Sequence, residues 1–182
     1  MDGAGSADPF WDHAAVVALG SNLGGGGNLG GELGSSLAIL EAALSRFDAA
    51  GLTVLRRSSW WRSAAWPDPT EPDYLNGVAL VETGLSAART LEALHGIEAA
   101  FGRERGEARN ASRTLDLDLI AHGRMVVDSP GLQLPHPRAA ERLFVMGPLA
   151  QIAPDWRHPV SGKTAAHLAS ATTVGRDATP VA

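Results

Sequence analysis

Polar and apolar residues alternate at residues 113–120, Arg-Thr-Leu-Asp-Leu-Asp-Leu-Ile, and this segment constrains the fold more than any other stretch of the chain. Alternation over this length predicts a half-buried β-strand, whose successive side chains point to opposite faces. Its leucines would face a core, while Thr114, Asp116 and Asp118 would share the other face. Carboxylates roughly 6.5–7 Å apart on one strand face can share two metal ions about 3.5–4 Å apart.

Two neighbouring acids on one strand face are unfavourable, because like charges repel and aspartate is a poor strand former. A compensating cation is therefore expected, either a metal ion or an arginine. Arginines beside a carboxylate pair suit a phosphate ester with its metal ions. The alternative is an edge strand whose solvent face carries two acids. Four arginines lie just upstream, at Arg103, Arg105, Arg109 and Arg113.

Composition limits the class of protein. The 182 residues are 45% hydrophobic and 19% charged, an ordinary globular balance that is sufficient for one core. The absence of cysteine excludes disulfides, a thiol nucleophile and a thiolate metal site, and suits a cytoplasmic protein. No apolar run reaches the ~18 residues of a membrane span. The net charge of −5 argues against broad nucleic-acid binding. We therefore expect a cytoplasmic protein that binds neither membrane nor nucleic acid.

The predicted elements follow the order β-α-β-β-α-β. Strands are predicted at 14–19, 52–61, 74–82 and 113–120, and amphipathic helices at 33–51 and 86–102. A short strand at 125–127, an extended segment at 132–137 and helices at 138–151 and 163–170 follow. This order predicts an α+β, ferredoxin-like sandwich with a mainly antiparallel sheet. The helices would cover one face of the sheet and leave the second face free, and a helical and looped extension would follow at the C-terminus. Residues 1–12 are predicted to be a flexible arm, 13–171 a single domain and 172–182 a disordered tail.

Two glycine-containing motifs resemble nucleotide-binding signatures but lack their structural context. Gly25-x-Gly27-x-x-Gly30 matches the dinucleotide fingerprint, but its first glycine lies beyond the end of the predicted strand instead of at it. Residues 161–164 read Ser-Gly-Lys-Thr, like the end of a P-loop, but Arg157 occupies the required upstream glycine position. We interpret neither motif as a nucleotide site.

Tyr74 and Asn76 share one face of the third predicted strand. A ring that stacks beside an amide that bonds in two directions suits a flat heterocycle with amide-like edges. The alternative is a tyrosine on a sheet surface. Among the six histidines, His136 lies between two prolines on an extended segment and is best placed to reach a ligand.

With these residues assembled, the chain resembles the 6-hydroxymethyl-7,8-dihydropterin pyrophosphokinases of folate biosynthesis. The similarity runs from about residue 15 to residue 168. Residues 109–120 match the family signature throughout: a basic residue, any residue, two small residues, Arg-x-x-Asp-hydrophobic-Asp and two apolar residues. Further motifs lie at 18–23, 72–76, 101–103, 134–136, 141–149 and 152–154.

The resemblance implies that residues 13–171 form a catalytic domain, acting as a monomer. It would transfer pyrophosphate from ATP to the hydroxymethyl group of the pterin and release AMP. Asp116 and Asp118 would hold two Mg²⁺ ions that bridge the triphosphate, and Arg103 and Arg113 would meet the phosphates. The other ATP-binding residues implied are Glu98, Arg105, Leu119, His136 and Arg142. The pterin would lie between Tyr74 and Phe144, with Asn76 at its edge and Ser63, Ala64 and Trp66 completing the pocket.

The chain departs from the family pattern at four places without losing a proposed metal ligand. Asn110 replaces a frequent tryptophan, residues 64–67 replace Pro-Pro-Leu-Gly, Gly131 replaces a basic residue and Pro137 replaces a frequent tyrosine. Two other functions are considered. A nucleotidyltransferase also pairs Gly-Ser with Asp-x-Asp, but at a much closer spacing than the about ninety residues found here. A binding module would keep the fold without chemistry.

Overall fold

The computed structural model describes residues 10–22, 32–65, 70–102 and 115–181. The strands are β1 (Ala15–Ser21), β2 (Thr53–Arg57), β3 (Trp61–Ser63), β4 (Tyr74–Glu82), β5 (Asp116–His122), β6 (Val127–Ser129), β7 (Leu132–Leu134) and β8 (Thr179–Pro180). The helices are α1 (Glu32–Leu44), α2 (Ala87–Ala100), α3 (Leu143–Ile152) and α4 (Ala165–Ala171). Short 3-10 helices span Phe10–Asp12, Asp48–Ala50 and Ala139–Glu141.

Local sequence signals account for the ends of several elements. The Ser86 hydroxyl accepts a hydrogen bond from the Arg89 backbone N–H and caps α2. Gly102 follows α2 with a φ of 83°, a conformation that glycine adopts without steric cost. The Thr164 hydroxyl caps α4 in the same way as Ser86 caps α2, by accepting from the His167 N–H.

The main sheet is antiparallel and has the strand order β5-β1-β4-β3-β8, with β2 also paired to β4. The segment predicted as one strand at 52–61 forms two strands, because Ser58 interrupts it. The Ser58 N–H donates to the Val78 carbonyl, and the Ser58 hydroxyl accepts from the Val78 N–H. Strands β6 and β7 form a separate antiparallel pair. The short strand predicted at 125–127 lies two residues later.

The sheet carries helices on both faces, so the prediction of helices on one face only is wrong. Leu40 of α1 and Leu94 of α2 pack with Val17 and alternate residues of the sheet. On the opposite face, Met146 and other apolar residues of α3 and α4 pack against Val16 and the remaining sheet residues. The physical reason is visible in β4, whose residues 75–81 are all buried, as expected for a strand covered on both sides.

The C-terminal residues also differ from the predicted disordered tail. Residues 172–181 are placed by backbone hydrogen bonds, including Val174 N–H to the Glu141 carbonyl and Val181 N–H to the Trp60 carbonyl. Strand β8 pairs with β3 at the edge of the main sheet. The polar composition of this segment predicts disorder, because its hydrogen-bond partners lie far away in the sequence and no local pattern indicates them. Among the described helices, none has the length and apolar character needed to span a membrane.

Candidate active site

Strand β5 places two acids on the sheet face that carries α3 and α4, beside the area that these helices cover. In the register with β1, Asp116 lies opposite Gly20 and Asp118 lies opposite Ala18. Both acids are half-buried and line one cavity, so the predicted common face is confirmed. The opposing residues carry almost no side chain, and this leaves space above the sheet beside the carboxylates.

This first cavity forms where α3 stops covering the sheet. It has a volume of about 160 Å³ and an uncharged wall built by the ends of β1, β3 and β4. Helix α3 packs against β3 so closely that Gly147 contacts the Trp61 ring, and its N-terminal residues form the facing wall. Residues 18–20, Ser63, Ala64, Tyr74, Asn76, Asp116, Asp118, Arg138, Arg142, Phe144, Val145 and Val174 line the cavity.

The predicted ring-binding residues gather at one end of the first cavity. Tyr74 and Asn76 come from β4, Ser63 comes from the paired strand β3, and Phe144 comes from the first turn of α3. Asn76 is buried, with 6% of its surface exposed, and its Nδ2 donates to the Ser63 hydroxyl at 3.0 Å. This hydrogen bond fixes the orientation of the amide beside the cavity.

The guanidinium of Arg142 adds a positive charge to the same wall. Its Cζ lies 5.7 Å from the centroid of the Phe144 ring, a cation–π distance. Arg142 immediately precedes α3 in extended conformation, and this conformation places both side chains on the cavity.

A second, larger cavity adjoins β5. Its volume is about 700 Å³, within the range of small-molecule sites. Asp118 lines both cavities, so the two spaces meet at this carboxylate. The other residues that line the second cavity are Leu91, His95, Leu119, 128–133, His136 and Pro137.

His136 is held against β5 by its own backbone. Its N–H donates to the Ile120 carbonyl at 2.8 Å, which brings the imidazole next to Asp118 in the second cavity. The Arg138 N–H donates to His136 Nδ1 at 3.2 Å. Since Nδ1 accepts, the neutral ring carries its proton on Nε2 and can donate it to a ligand oxygen.

The surroundings of His136 favour this neutral form. Burial lowers the pKa of His136 below its usual value of 6.5, and the positive charges of Arg142 and Arg138 act in the same direction. The Asp118 carboxylate opposes this effect and raises the pKa. The net effect lowers the pKa of His136 and favours an uncharged imidazole that can donate one hydrogen bond from Nε2.

Glu98 lies outside these two cavities. It is 2% exposed, and its Oε1 accepts a 2.8 Å hydrogen bond from the Leu117 N–H on β5. Among the described strands, β5 is the last of the main sheet on this side, and the Glu98 carboxylate lies where a further strand would pair. The Glu98 carboxylate therefore accepts a hydrogen bond from the outer edge of the strand that carries the two aspartates. The contact between Glu98 and the nucleotide stays a prediction.

Several predicted residues lie outside the described part of the chain: Arg103, Arg105, Arg113 and Trp66. Other residues line the cavities without having been predicted. Arg138 lies two residues after the predicted motif that contains His136, and its charge was a signal that could have found it. Val174 lies in the segment predicted to be disordered, where no local pattern indicated a pocket wall. His95 lines the second cavity from α2.

The donor set at β5 suits a hard cation. Within the residues that the structure describes, no group of three or more acids, histidines or cysteines could hold a metal ion. Two carboxylates alone leave most coordination positions for water and for oxygens of a ligand. Mg²⁺ is bound in this way, through one or two carboxylates plus substrate phosphates, and not by a cage made of protein alone.

Fold and site together define an enzyme class. Two carboxylates line the first cavity, and one of them, Asp118, also lines the second. With the arginine and aromatic side chains on the wall of the first cavity, they form the arrangement of a transferase that moves a phosphate-containing group. A family model described as 7,8-dihydro-6-hydroxymethylpterin-pyrophosphokinase (HPPK) matches residues 16–154. The chain belongs to this family.

Named relatives agree with this assignment. The 2-amino-4-hydroxy-6-hydroxymethyldihydropteridine pyrophosphokinase of Synechocystis sp. is 46% identical over 157 residues, covering 86% of this chain and 74% of that protein. The protein of the same name from Methylorubrum extorquens is 38% identical over 128 residues, covering 70% of this chain and 80% of that protein.

Solved structures share the fold. An HPPK-DHPS triple mutant from Plasmodium falciparum with SDX-DHP aligns with a TM-score of 0.65 and 13% identity. The alignment covers 87% of this chain and 44% of that chain, so this chain corresponds to less than half of the longer protein. At this identity the likeness concerns the fold alone.

Proposed function

We propose that the protein transfers pyrophosphate from ATP to 6-hydroxymethyl-7,8-dihydropterin in a Mg²⁺-dependent reaction of folate biosynthesis, giving AMP and the pterin pyrophosphate. The observation that carries this proposal is the junction of the two cavities at Asp118. A reaction between two substrates requires their reacting atoms to meet, and a shared carboxylate at the meeting point can serve both. Family membership supplies the substrate class.

The first cavity suits the pterin. Tyr74 and Phe144 offer ring faces for stacking, and Asn76 offers an amide for the edge of the heterocycle. Ser63 and Ala64 border the same space, and Trp66 would complete the wall. The hydroxymethyl group would then point along the sheet toward Asp116 and Asp118.

The second cavity suits ATP. Leu119 and His136 line it, and Arg142, which lines the first cavity just before α3, is close enough to His136 to lower the pKa of the imidazole. The Nε2–H of neutral His136 can donate to a phosphate oxygen, and the Arg142 guanidinium can neutralise phosphate charge. Arg103, Arg105 and Arg113 would supply further positive charge, and Glu98 would act from beneath β5.

Asp116 and Asp118 would hold two Mg²⁺ ions, which supply charge neutralisation to the triphosphate when bound. The chain itself has to orient the substrates, because phosphoryl-type transfer depends mainly on alignment and electrostatic stabilisation. The hydroxyl oxygen forms a bond to the β-phosphorus and its proton is released to solvent, while the bond from that phosphorus to the α,β-bridging oxygen breaks and AMP leaves. Stacking by Tyr74 and Phe144 fixes the angle of approach.

We also infer a ferredoxin-like core. Its support is the order β1-α1-β2-β3-β4-α2-β5, in which β2 and β3 together take the place of one strand, with β5 on one side of β1 and β4 on the other. Strand β4 separates β1 from β2 and β3, as the two split β-α-β units of that core require.

A product assay tests the proposed function. The protein is incubated with ATP, Mg²⁺ and 6-hydroxymethyl-7,8-dihydropterin, and the nucleotides are separated and quantified by chromatography. AMP should form in proportion to the pterin added, and omission of either pterin or Mg²⁺ should abolish it. Formation of ADP, or release of free pyrophosphate with a nucleotide attached to the acceptor, would overturn the proposal.

A further inference from the structure

Residues 174–177 connect two walls of the first cavity, and we name this segment the C-terminal strap. Its first residue, Val174, lines the cavity. Backbone hydrogen bonds attach the strap to the segment before α3: the Val174 N–H donates to the Glu141 carbonyl at 3.0 Å, and the Leu143 N–H donates to the Val174 carbonyl at 2.9 Å. The strap is therefore joined to the residues that carry Arg142 and Phe144.

The other end of the strap is joined to the opposite wall. Asp177 Oδ2 accepts a 2.6 Å hydrogen bond from the Ala64 N–H, directly after β3. Strand β8 continues the connection by pairing with Trp61 and Arg62. Because β3 and the N-terminus of α3 form two walls of the same cavity, the strap sets the distance between them.

Gly175 packs directly against an aromatic ring of the pocket. Its φ of 68° is in the left-handed region, and a Cβ added there would overlap Cδ1 of the Phe144 ring. Thus Phe144 can keep its position only if residue 175 has no side chain. The backbone of the strap therefore packs against the Phe144 ring, which lines the cavity.

We propose that the C-terminal strap is a wall of the pterin pocket and that Gly175 and Asp177 are positioning residues for pterin binding. Gly175 sets the plane of the Phe144 ring, and Asp177 holds the Ala64 backbone at the edge of the pocket. The inference rests on the proposed function, since it assumes that the first cavity receives the pterin. It predicts changes in pterin binding without equal changes in ATP binding.

Gly175→Ala tests the contact with Phe144, and Gly162→Ala is its matched control. Gly162 has nearly the same φ, 67°, but no atom of the described residues lies within 4 Å of an added Cβ. Both variants carry the same backbone strain, so only the contact with the ring distinguishes them. Gly175→Ala should raise the KM for pterin about tenfold or more, the scale of a lost stacking partner, with the KM for ATP nearly unchanged. Equal pterin KM values in the two variants would overturn the proposal.

Asp177→Ala and Asp177→Asn form a second, independent pair. Asparagine keeps an oxygen that can accept from the Ala64 N–H, whereas alanine removes it. We expect Asp177→Ala to raise the KM for pterin about fivefold, the scale of one hydrogen bond, and Asp177→Asn to restore most of it. This pair decides the matter if Gly175→Ala does not fold.

Pterin binding by the wild-type protein distinguishes a failure of the proposed function from a failure of the role proposed for the strap. If the wild type does not bind 6-hydroxymethyl-7,8-dihydropterin, the proposed function fails. If it binds the pterin and Asp177→Ala binds it equally well, the positioning role of Asp177 fails while the proposed function stands. A parallel loss of pterin and ATP binding in both pairs would mean that the strap stabilises the fold only.

Discussion

At the scale of single residues, the candidate site depends on two small side chains as much as on two acids. Ala18 and Gly20 lie opposite Asp118 and Asp116, and their small size leaves the carboxylates accessible from the cavity. The shared face of the acids follows from the period of two along a strand, and sequence alone predicts it. The identity of the residues on the neighbouring strand depends on register, which the sequence pattern does not specify.

Replacing Asp118 by asparagine tests its role as a ligand at the junction. The shape is kept and the negative charge is lost, so turnover should fall at least about a hundredfold, more than the loss of an outer-shell partner of a metal. The free energy of unfolding should change little, because the carboxylate lines a cavity. Steady-state kinetics and urea denaturation measure the two effects. Asp155→Asn, at an exposed position outside both cavities, is the control. Unfolding of Asp118→Asn instead would make this residue structural.

The lowered pKa of His136 predicts a pH effect on stability. The unfolded chain takes up this proton at a pKa near 6.5, whereas burial and the neighbouring Arg142 and Arg138 lower the pKa in the folded state against the effect of Asp118. As the pH falls below about 6.5, the unfolded state binds the proton first, and the free energy of unfolding decreases.

His136→Gln should remove this component of the pH dependence. Urea titrations at several pH values measure the free energy of unfolding of both proteins. As the pH falls below about 6.5, the free energy of unfolding of the wild type should decrease relative to that of the variant. His158, whose pKa is also lowered by burial, is present in both proteins and cancels. A difference that does not change with pH would contradict the assignment.

At the scale of elements, the position of α3 creates the cavity. The helix covers the sheet beside β3 and stops before Asp116 and Asp118, and its first turn presents Phe144 to the open space. Sequence periodicity indicates that a helix exists near residues 138–151 but not the sheet face on which it lies. The continuous burial of residues 75–81 in β4 is typical of a strand covered on both faces, whereas the sequence pattern by itself predicts only a strand.

The packing of α3 can be tested with two glycines in different helices. An added Cβ at Gly147 would lie 2.7 Å from Cη2 and Cζ3 of the Trp61 ring, so Gly147→Ala should destabilise the protein by about 1–3 kcal/mol. Gly96 is exposed on α2, and within the described part of the chain no atom lies within 4 Å of an added Cβ there. Gly96→Ala should therefore stabilise the protein by about 0.5–1 kcal/mol. Midpoints of urea denaturation give both values. Equal shifts in the same direction would show that α3 does not pack tightly against Trp61.

At the scale of the whole molecule, distant parts of the chain meet around one space. Ala18, Tyr74, Asp118, Phe144 and Val174 come from segments spread over most of the sequence, and all of them line the first cavity. The residues of the signature at 109–120 and the motifs around it were sufficient to predict the family. Val174 was not predictable, because its place depends on hydrogen bonds to Glu141 and Leu143 that no local pattern encodes.

The most direct test of the account follows the three phosphorus atoms of ATP by ³¹P NMR during turnover with 6-hydroxymethyl-7,8-dihydropterin and Mg²⁺. The account predicts that the β- and γ-phosphorus signals move together to the pterin product while the α-phosphorus signal becomes that of AMP. Appearance of the α-phosphorus on the acceptor together with free pyrophosphate, or transfer of the γ-phosphorus alone, would contradict it.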